Sequence, residues 1–283
     1  MLVAAALRWS DTRATVDPLS GQVHTDPYAA GPGPADRCAL EYALRIAEEL
    51  GGRCLALCVG PPAAEEMLRE ALAAGAHDVL RIDTTEQHPY GGGAVTAAAL
   101  HAGLAARGAA PDLVVCGDRS AEHGTGTTPG FLAALLGASQ ALGLLELTAG
   151  TGELRALRPL DGGRREVLGL PLPAVCSVQP GTVAARRAPL PAVLAARTAP
   201  VPHVTLGPGP DCGVRAGRPR PYRPRPRVLP PPGGQDPRER LLALTTARTP
   251  PRTPPRLITP ATPAEAADLL LARLQDGPDP RPR

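Results

Sequence analysis

The chain has 283 residues, enough for one large domain or a medium one with an appendage. With one Trp, one Phe and four Tyr, an aromatic core is excluded; the interior must be Ala, Val and Leu, which suits helices packed closely on a parallel sheet. A formal net charge of +3 is too small to imply nucleic-acid binding.

The positive charge is local: lysine is absent, and eleven arginines fall between Arg215 and Arg256, which reads as a solvated coil, a protein-docking arm, or an arm that clasps an acidic surface or RNA. More than half of the 36 prolines lie at or beyond Pro200, so the last third is not expected to fold as a compact domain. Cys38, Cys54, Cys58, Cys116, Cys176 and Cys212 lack paired metal-knuckle spacing. Cys54 and Cys58, four apart in an apolar run, are expected on one side of a strand as buried small hydrophobes. There is no charged-then-apolar leader and no apolar run near twenty residues, so a reduced, cytoplasmic protein without a membrane span is expected.

Residues 2–7, "LVAAAL", are the apolar run of a strand buried on both faces. Arg8 to Ala30 break that pattern with the turn-rich "DPLSGQVHTDPY", an excursion or small hairpin. From Asp36, read as an N-cap, Leu40, Ala43, Leu44, Ala47 and Leu50 share a helix face that Gly51-Gly52 ends. "RCLALCVG" (53–60) is a second strand and "DVLRID" (78–83) a third. Between them, "PPAAEEMLREALAAG" is a helix opened by proline, with Glu65 and Glu66 in its first turn and Gly75 at its close. A helix over about 93–107, the strand "PDLVVCG" (111–117) and a helix over 129–137 repeat the unit. Such alternation means βαβ units with right-handed crossovers, an α/β fold with a doubly wound, mostly parallel sheet of the nucleotide-binding type.

After Gly137 the pattern changes. "ALGLLELTAG" is a further strand, and "GELRALRPLDGGRREVLGLPLPAVCSV" reads as two strands around a tight turn at Asp161-Gly162-Gly163, then another short apolar strand. An antiparallel hairpin is thereby added to the sheet edge. A Pro/Arg-rich segment (200–240) and a last helical pattern, "TPAEAADLLLARLQDG", close the chain. The expected division is 1–195 for the nucleotide-binding domain and 196–283 for an extended C-terminal arm that wraps a partner.

The loop "CGDRSAEHGTGTTPGF" (116–131) leaves the carboxyl end of a buried strand and enters a helix, where ligands of open α/β sheets sit. Gly117, Gly124 and Gly126 allow close approach of backbone to ligand, and Thr127, Thr128 and Pro129 make a helix start whose free amides favour an anion such as phosphate. The loop has no lysine for a P-loop, and no GxGxxG follows the first strand.

In order and spacing, "LVAAALRWSD", "ADRCALEYALRIAEE", "CVGPPAAEEMLREALAAGAHDVLRID", "PDLVVCG", "LDGGRREVLGLPLPAV" and "TPAEAADLLLARL" resemble the beta subunit of electron transfer flavoproteins, the family that includes the FixA-type proteins. The proline-rich arm and the composition look like the mycofactocin-associated variants. The resemblance implies an adenine nucleotide alpha hydrolase-like sheet and pairing with an alpha subunit that carries redox-active FAD. It also implies a buried AMP, or in bifurcating members a second FAD, in the beta subunit. Electrons would come from a dehydrogenase and pass to a downstream acceptor, so the chain would be a carrier rather than an enzyme.

Carried over by residue, the resemblance places the nucleotide at Ala5, at Gly33, Pro34, Ala35 and Asp36, and at Val59 beside Gly60. The rest of the pocket is Gly117, Asp118, Arg119, Ser120, Ala121, Glu122, His123, Gly124, Thr125, Gly126, Thr127 and Thr128. Gly33-Pro34-Ala35 stands where the family commonly has Asn-Pro-Phe, and Gly126-Thr127-Thr128-Pro129 where it has Asn-Gln-Thr-Gly, so side-chain amides are lost. Asp118 replaces a usually basic position. The segment "SVQPGTVAARRAPLP" corresponds to the family's dehydrogenase-recognition loop, with Thr182 at the position of its exposed leucine. His123 is a phosphate donor or a solvated loop residue, and Trp9 a base-stacking group or a filler of the core's edge.

Two other readings stand beside this one. A stand-alone adenine-nucleotide sensor of the universal-stress-protein type would need a fold ending near residue 150, which the later strand patterns overrun. An adenylating or pyrophosphatase-type enzyme would need a Ser-Gly-Gly loop after the first strand and a lysine or metal-binding carboxylates, which "RWSDTRATVD" lacks.

Overall fold

The computed structural model describes residues 1–11, 13–26, 29–84, 92–122, 124–150, 153–207, 217, 220, 221, 223, 236–244 and 258–275. In chain order, β1 (Leu2–Leu7) is followed by the short strands β2 (Trp9–Asp11), β3 (Thr15–Val16), β4 (Val23–His24) and β5 (Ala30–Pro32). Then come α1 (Pro34–Glu49), β6 (Arg53–Val59), α2 (Glu65–Ala74), β7 (Asp78–Thr84), α3 (Gly92–Ala106), β8 (Leu113–Gly117) and α4 (Thr128–Leu136). The unit is completed by β9 (Ser139–Leu144), β10 (Glu146–Ala149), β11 (Leu154–Pro159), β12 (Arg165–Leu170), β13 (Ala174–Val178), α5 (Leu190–Arg197) and β14 (His203–Leu206).

Seven strands form one sheet in the order β14-β7-β6-β1-β8-β13-β9, every neighbouring pair parallel. β1 sits at its centre, in register with β6 (Ala5 opposite Ala56) and β8 (Ala5 opposite Val115). Side chains alternate between two cores. Val3, Ala5, Leu7, Cys54, Ala56 and Cys58 face α1 and α2, while Ala4, Ala6, Leu55, Leu57, Leu80 and Ile82 face α3 and α4. Cys54 and Cys58 therefore share one face, and burial pushes both thiols up to about 12, which makes them inert packing groups.

Helix boundaries follow local chemistry. α1 starts at Pro34, two residues ahead of the expected cap, because proline's fixed φ suits the first helical position. Asp36 is inside the first turn, where its Oδ2 accepts the Gly33 amide at 3.1 Å, so Gly33 and not Asp36 is the N-cap residue. α2 ends at Gly75, whose φ of 116° is open to glycine without the cost of a side chain.

The excursion after β1 resolves into two small antiparallel pairs, β2 with β5 and β3 with β4. The apolar run 141–150 is split at Leu145. β9 is the parallel edge strand of the large sheet, and β10 joins β11 and β12 in a separate three-stranded antiparallel sheet. The expected hairpin exists, but it is not hydrogen-bonded to the large sheet. Its inner residues Leu147, Leu154, Ala156 and Leu170 instead extend the α1-side core.

The compact unit runs over Met1–Arg223, past residue 195, because α5 packs on α2 and β14 adds to β7. A second unit, Pro224–Arg283, contains α6 (Pro237–Leu244) and α7 (Pro263–Gln275). In α7 the Thr262 hydroxyl accepts the Glu265 amide and the Glu265 carboxylate accepts the Ala261 amide, a reciprocal cap. Among the described residues no helix is long and apolar enough to cross a membrane.

The close approach of helix to sheet has a measurable consequence at Gly103 of α3, where a Cβ would lie 2.4 Å from Ile82 Cδ1 and 2.6 Å from its Cγ1. Gly103→Ala is expected to destabilise the protein by about 1–3 kcal/mol despite alanine's better helix propensity. Chemical denaturation reads this as a lowered midpoint, and Ile82→Val in the same chain should recover part of it.

Candidate functional site

Strand order reverses between β1 and β8: the chain moves from β1 to β6 and β7 on one side, then returns to β8 on the other. Crossovers leaving to opposite sides open a crevice above the carboxyl ends of the two strands. A cleft of about 410 Å³ lies there. Its floor is the end of β1 (Ala6, Leu7, Arg8), of β6 (Val59, Gly60) and of β8 (Cys116, Gly117), with Asp36 between α1 and the sheet. Trp9, Pro61, Pro62 and Asp83 extend the rim. Gly92, Gly93, Thr96 and Leu100 of α3, Thr128 and Pro129 of α4, and Arg119, Ser120, Thr125 and Gly126 of the preceding loop make the walls.

Glycines set how closely these walls meet. A Cβ on Gly93 would lie 2.2 Å from Thr127 Oγ1 and 2.5 Å from the Thr128 amide nitrogen, so the N-termini of α3 and α4 abut. No side chain caps α4, and its first-turn amides and dipole, joined by those of α3, make this end of the cleft attractive to an anion. The loop closes on itself through the Ser120 amide to the Thr125 carbonyl (2.8 Å) and the Gly124 amide to the Ser120 carbonyl (2.9 Å). A Cβ on Gly126 would lie 2.2 Å from the Asp118 carbonyl oxygen, so only glycine fits that crossing.

Each charge lining the cleft has a partner. The Arg8 guanidinium donates to Glu122 Oε2 through Nη2 (2.6 Å) and Nε (3.2 Å). Arg119 Nε donates to Asp118 Oδ2 at 3.1 Å, while the buried Asp118 Oδ1 meets no donor among the described residues. Asp83 is held at 3.1 Å by Arg81, a cation only 5% exposed that also pairs with Glu65 at 3.2 Å. Asp36 accepts the amides of Arg8 (3.3 Å) and Gly33. Burial pushes its carboxyl up to about 6; the two amides and the Arg8 charge oppose that rise, and Asp118 adds to it. Among the described residues no group of three or more His, Cys, Asp or Glu side chains is arranged for a metal ion.

A family model described as "Electron transfer flavoprotein domain" matches residues 28–208. The chain belongs to the electron transfer flavoprotein domain family. Protein FixA of Rhizobium meliloti (strain 1021) is 31% identical over 164 residues, 56% of this chain and 55% of that protein. Electron transfer flavoprotein subunit beta of Dictyostelium discoideum is 31% identical over 146 residues, 51% of this chain and 56% of that one. The acryloyl-CoA reductase electron transfer subunit gamma of Anaerotignum propionicum is 33% identical over 117 residues, 40% of this chain and 42% of its own. The matches span about half the length of these electron transfer relatives.

Among the positions that the family resemblance marks for nucleotide, Asp36, Val59, Gly117, Arg119, Ser120, Thr125, Gly126 and Thr128 line the cleft. Ala5 does not: it is fully buried within β1, and the cleft begins at Ala6. Gly33, Pro34 and Ala35 lie outside the lining, with Ala35 close beneath Gly117, where an added Cβ would approach it to 3.1 Å. Asp118, Ala121, Glu122, Gly124 and Thr127 also lie outside it, Asp118 and Glu122 through their ion pairs to Arg119 and Arg8 and Thr127 as the α4 N-cap. His123 falls outside the described residues. Sequence reasoning passed over Arg8, Gly92, Gly93, Thr96 and Asp83; the run "YGGGAV" (90–95), which leads into the first turn of α3, carried a signal of the same kind as the Gly/Thr loop.

The segment between β13 and α5 is fastened to α1. Arg186 donates to Glu41 Oε2 from its backbone and from Nε, both at 3.0 Å, and its guanidinium also pairs with Glu48. Burial raises the Glu41 carboxyl, but Arg186 and Arg45 outweigh it and hold the group below its usual range. Thr182 is half-buried, its hydroxyl donating to the Gln179 carbonyl at 2.9 Å. The exposed leucines of this region are Leu190 (69%) and Leu194 (54%).

Asp36 yields a pH signature. Its folded pKa of about 6 lies above the 3.8 of an unperturbed carboxyl, so the folded state binds its proton more tightly than the unfolded state. Its contribution is most favourable below about pH 4 and declines until about pH 6, by a total of about 3 kcal/mol. Thermal denaturation from pH 4 to 7.5 should show the wild type losing stability relative to Asp36→Asn across that window, with parallel curves above it.

Proposed function

We propose that the chain is the beta subunit of a heterodimeric electron transfer flavoprotein and that the β1/β8 cleft binds AMP. The observation that carries this is the cleft at the strand-order switch, closed by two abutting helix N-termini, inside the span matched by the family model. Its volume is within the range of small-ligand sites. The residues fit the nucleotide in part: the α3 and α4 amides, the Thr125 and Thr128 hydroxyls and Arg8 suit a phosphate, and Trp9 at the rim offers a face to an adenine. Gly33 supplies no side-chain amide and its N–H is taken by Asp36, so recognition rests on backbone and hydroxyl groups.

In this reading the redox-active FAD is held mainly by an alpha subunit, where it supplies electron acceptance and release. A dehydrogenase is the donor, and the chain works as an electron carrier subunit, not as a catalyst. The similarity to FixA, to an electron transfer flavoprotein beta subunit and to an electron transfer subunit supports the assignment. Burial pushes the Cys54 and Cys58 thiols up to about 12, so neither is a thiolate at neutral pH.

The test is co-expression with alpha subunits encoded nearby, followed by mass spectrometry of released nucleotides and a visible spectrum. One FAD and one AMP per heterodimer is the expected result, whereas two FAD would replace AMP by a second flavin. An isolated chain that keeps ATP or AMP and binds no alpha subunit would favour the nucleotide-sensor reading. For the donor, Leu190→Ala is expected to weaken dehydrogenase-driven flavin reduction about tenfold while leaving assembly and nucleotide content unchanged.

A further inference from the structure

We infer that Glu122 is a displaceable counter-ion for Arg8, so that a phosphate entering the cleft must exchange with a carboxylate from the loop that walls it. The inference rests on the proposal that the cleft takes a nucleoside phosphate. Arg8 lines the cleft from the end of β1, and its backbone amide is anchored on Asp36. Glu122 does not line the cleft, yet its Oε2 takes both Nη2 and Nε of Arg8, the guanidinium edge that a phosphate oxygen would use. The two side chains are 35% and 31% exposed, wet enough for the pair to open at small cost.

The second cation on the wall, Arg119, is 67% exposed and paired with Asp118 of the same loop, so Arg8 is the better-placed anion contact. Glu122 stands three residues before Thr125, and the Ser120 amide, which donates to the Thr125 carbonyl, links the two ends of the stretch that carries Glu122. Releasing Glu122 therefore bears on the wall that carries Thr125 and Gly126. The device discriminates by charge: a phosphate dianion competes with the carboxylate for Arg8, while a neutral nucleoside does not.

Trp9, the one tryptophan of the chain, is at the rim and reports occupancy by fluorescence. The full chain and its Glu122→Gln, Arg8→Gln and doubly substituted variants are titrated with AMP, with adenosine and with inorganic phosphate, with calorimetry as a second readout. Glu122→Gln should bind AMP about two- to fivefold tighter with adenosine unchanged, and Arg8→Gln should bind AMP more weakly. In the Arg8→Gln background Glu122→Gln should have no further effect. The inference is overturned if Glu122→Gln fails to tighten AMP binding, tightens adenosine equally, or acts as strongly without Arg8, which would be unspecific electrostatics. If none of the four proteins binds AMP, the nucleotide reading falls and this one with it; tight binding that is indifferent to Glu122 removes only the latter.

Discussion

The first unit depends on burying β1 on both faces at once. Val3, Ala4 and Ala5 are completely inaccessible, and the strand is flanked by β6 and β8 in parallel register. A parallel strand with two covered faces requires helices on both sides, and right-handed crossovers supply α1 and α2 to one face and α3 and α4 to the other. Nearly devoid of aromatic side chains, the chain fills these layers with Ala, Val, Leu and Cys, so helix and sheet approach closely. Gly103 against Ile82 and Gly93 against Thr127 mark where even a methyl group is too much. The same crossovers that bury β1 part company between β1 and β8, so the cleft is a consequence of the core.

Asp36 joins scaffold to site. Its two oxygens tie the end of β1, through the Arg8 amide, to the first turn of α1, through the Gly33 amide. Holding a carboxylate there is costly when it ionises, as its raised pKa records. Around it the cleft sets helix N-termini and Arg8 against Asp36 and Asp83, a balance that favours an anion at one end. Arg81 keeps Asp83 from adding a bare negative charge.

An ionic joint lies on the α1 side of the sheet, where the half-buried Arg186 meets the buried Glu41 and the exposed Glu48. Arg186 ties the buried Glu41 of α1 to the 179–189 segment through its backbone and its guanidinium, which constrains where that segment runs. The fastened segment leads into α5, where Leu190 and Leu194 are exposed.

The strand and helix periods of residues 2–137 were legible because burial on both faces writes continuous apolar runs for strands and a stripe for helices, and glycine marks their ends. The loop 116–131 was legible as a strand-to-helix connection at the carboxyl edge of the sheet from its glycines, threonines and position after a strand. Three things were not. Strand order decides that the 141–150 run divides between two sheets, since β9 must pair with β13 and β10 with β11. Segment 203–206 becomes a sheet strand only because β7 offers it an open edge. Arg8, Gly93 and Asp83 reach the same cleft from distant positions, and Ala5 is withheld from it, because three-dimensional register determines which residue of a strand is last beneath the crevice. The sequence by itself thus determined the elements, the small-residue core and the chemistry of one loop, all local properties. Tertiary structure alone decided which strands pair and which charges meet, because pairing and Coulomb interaction act across space between residues far apart in the chain.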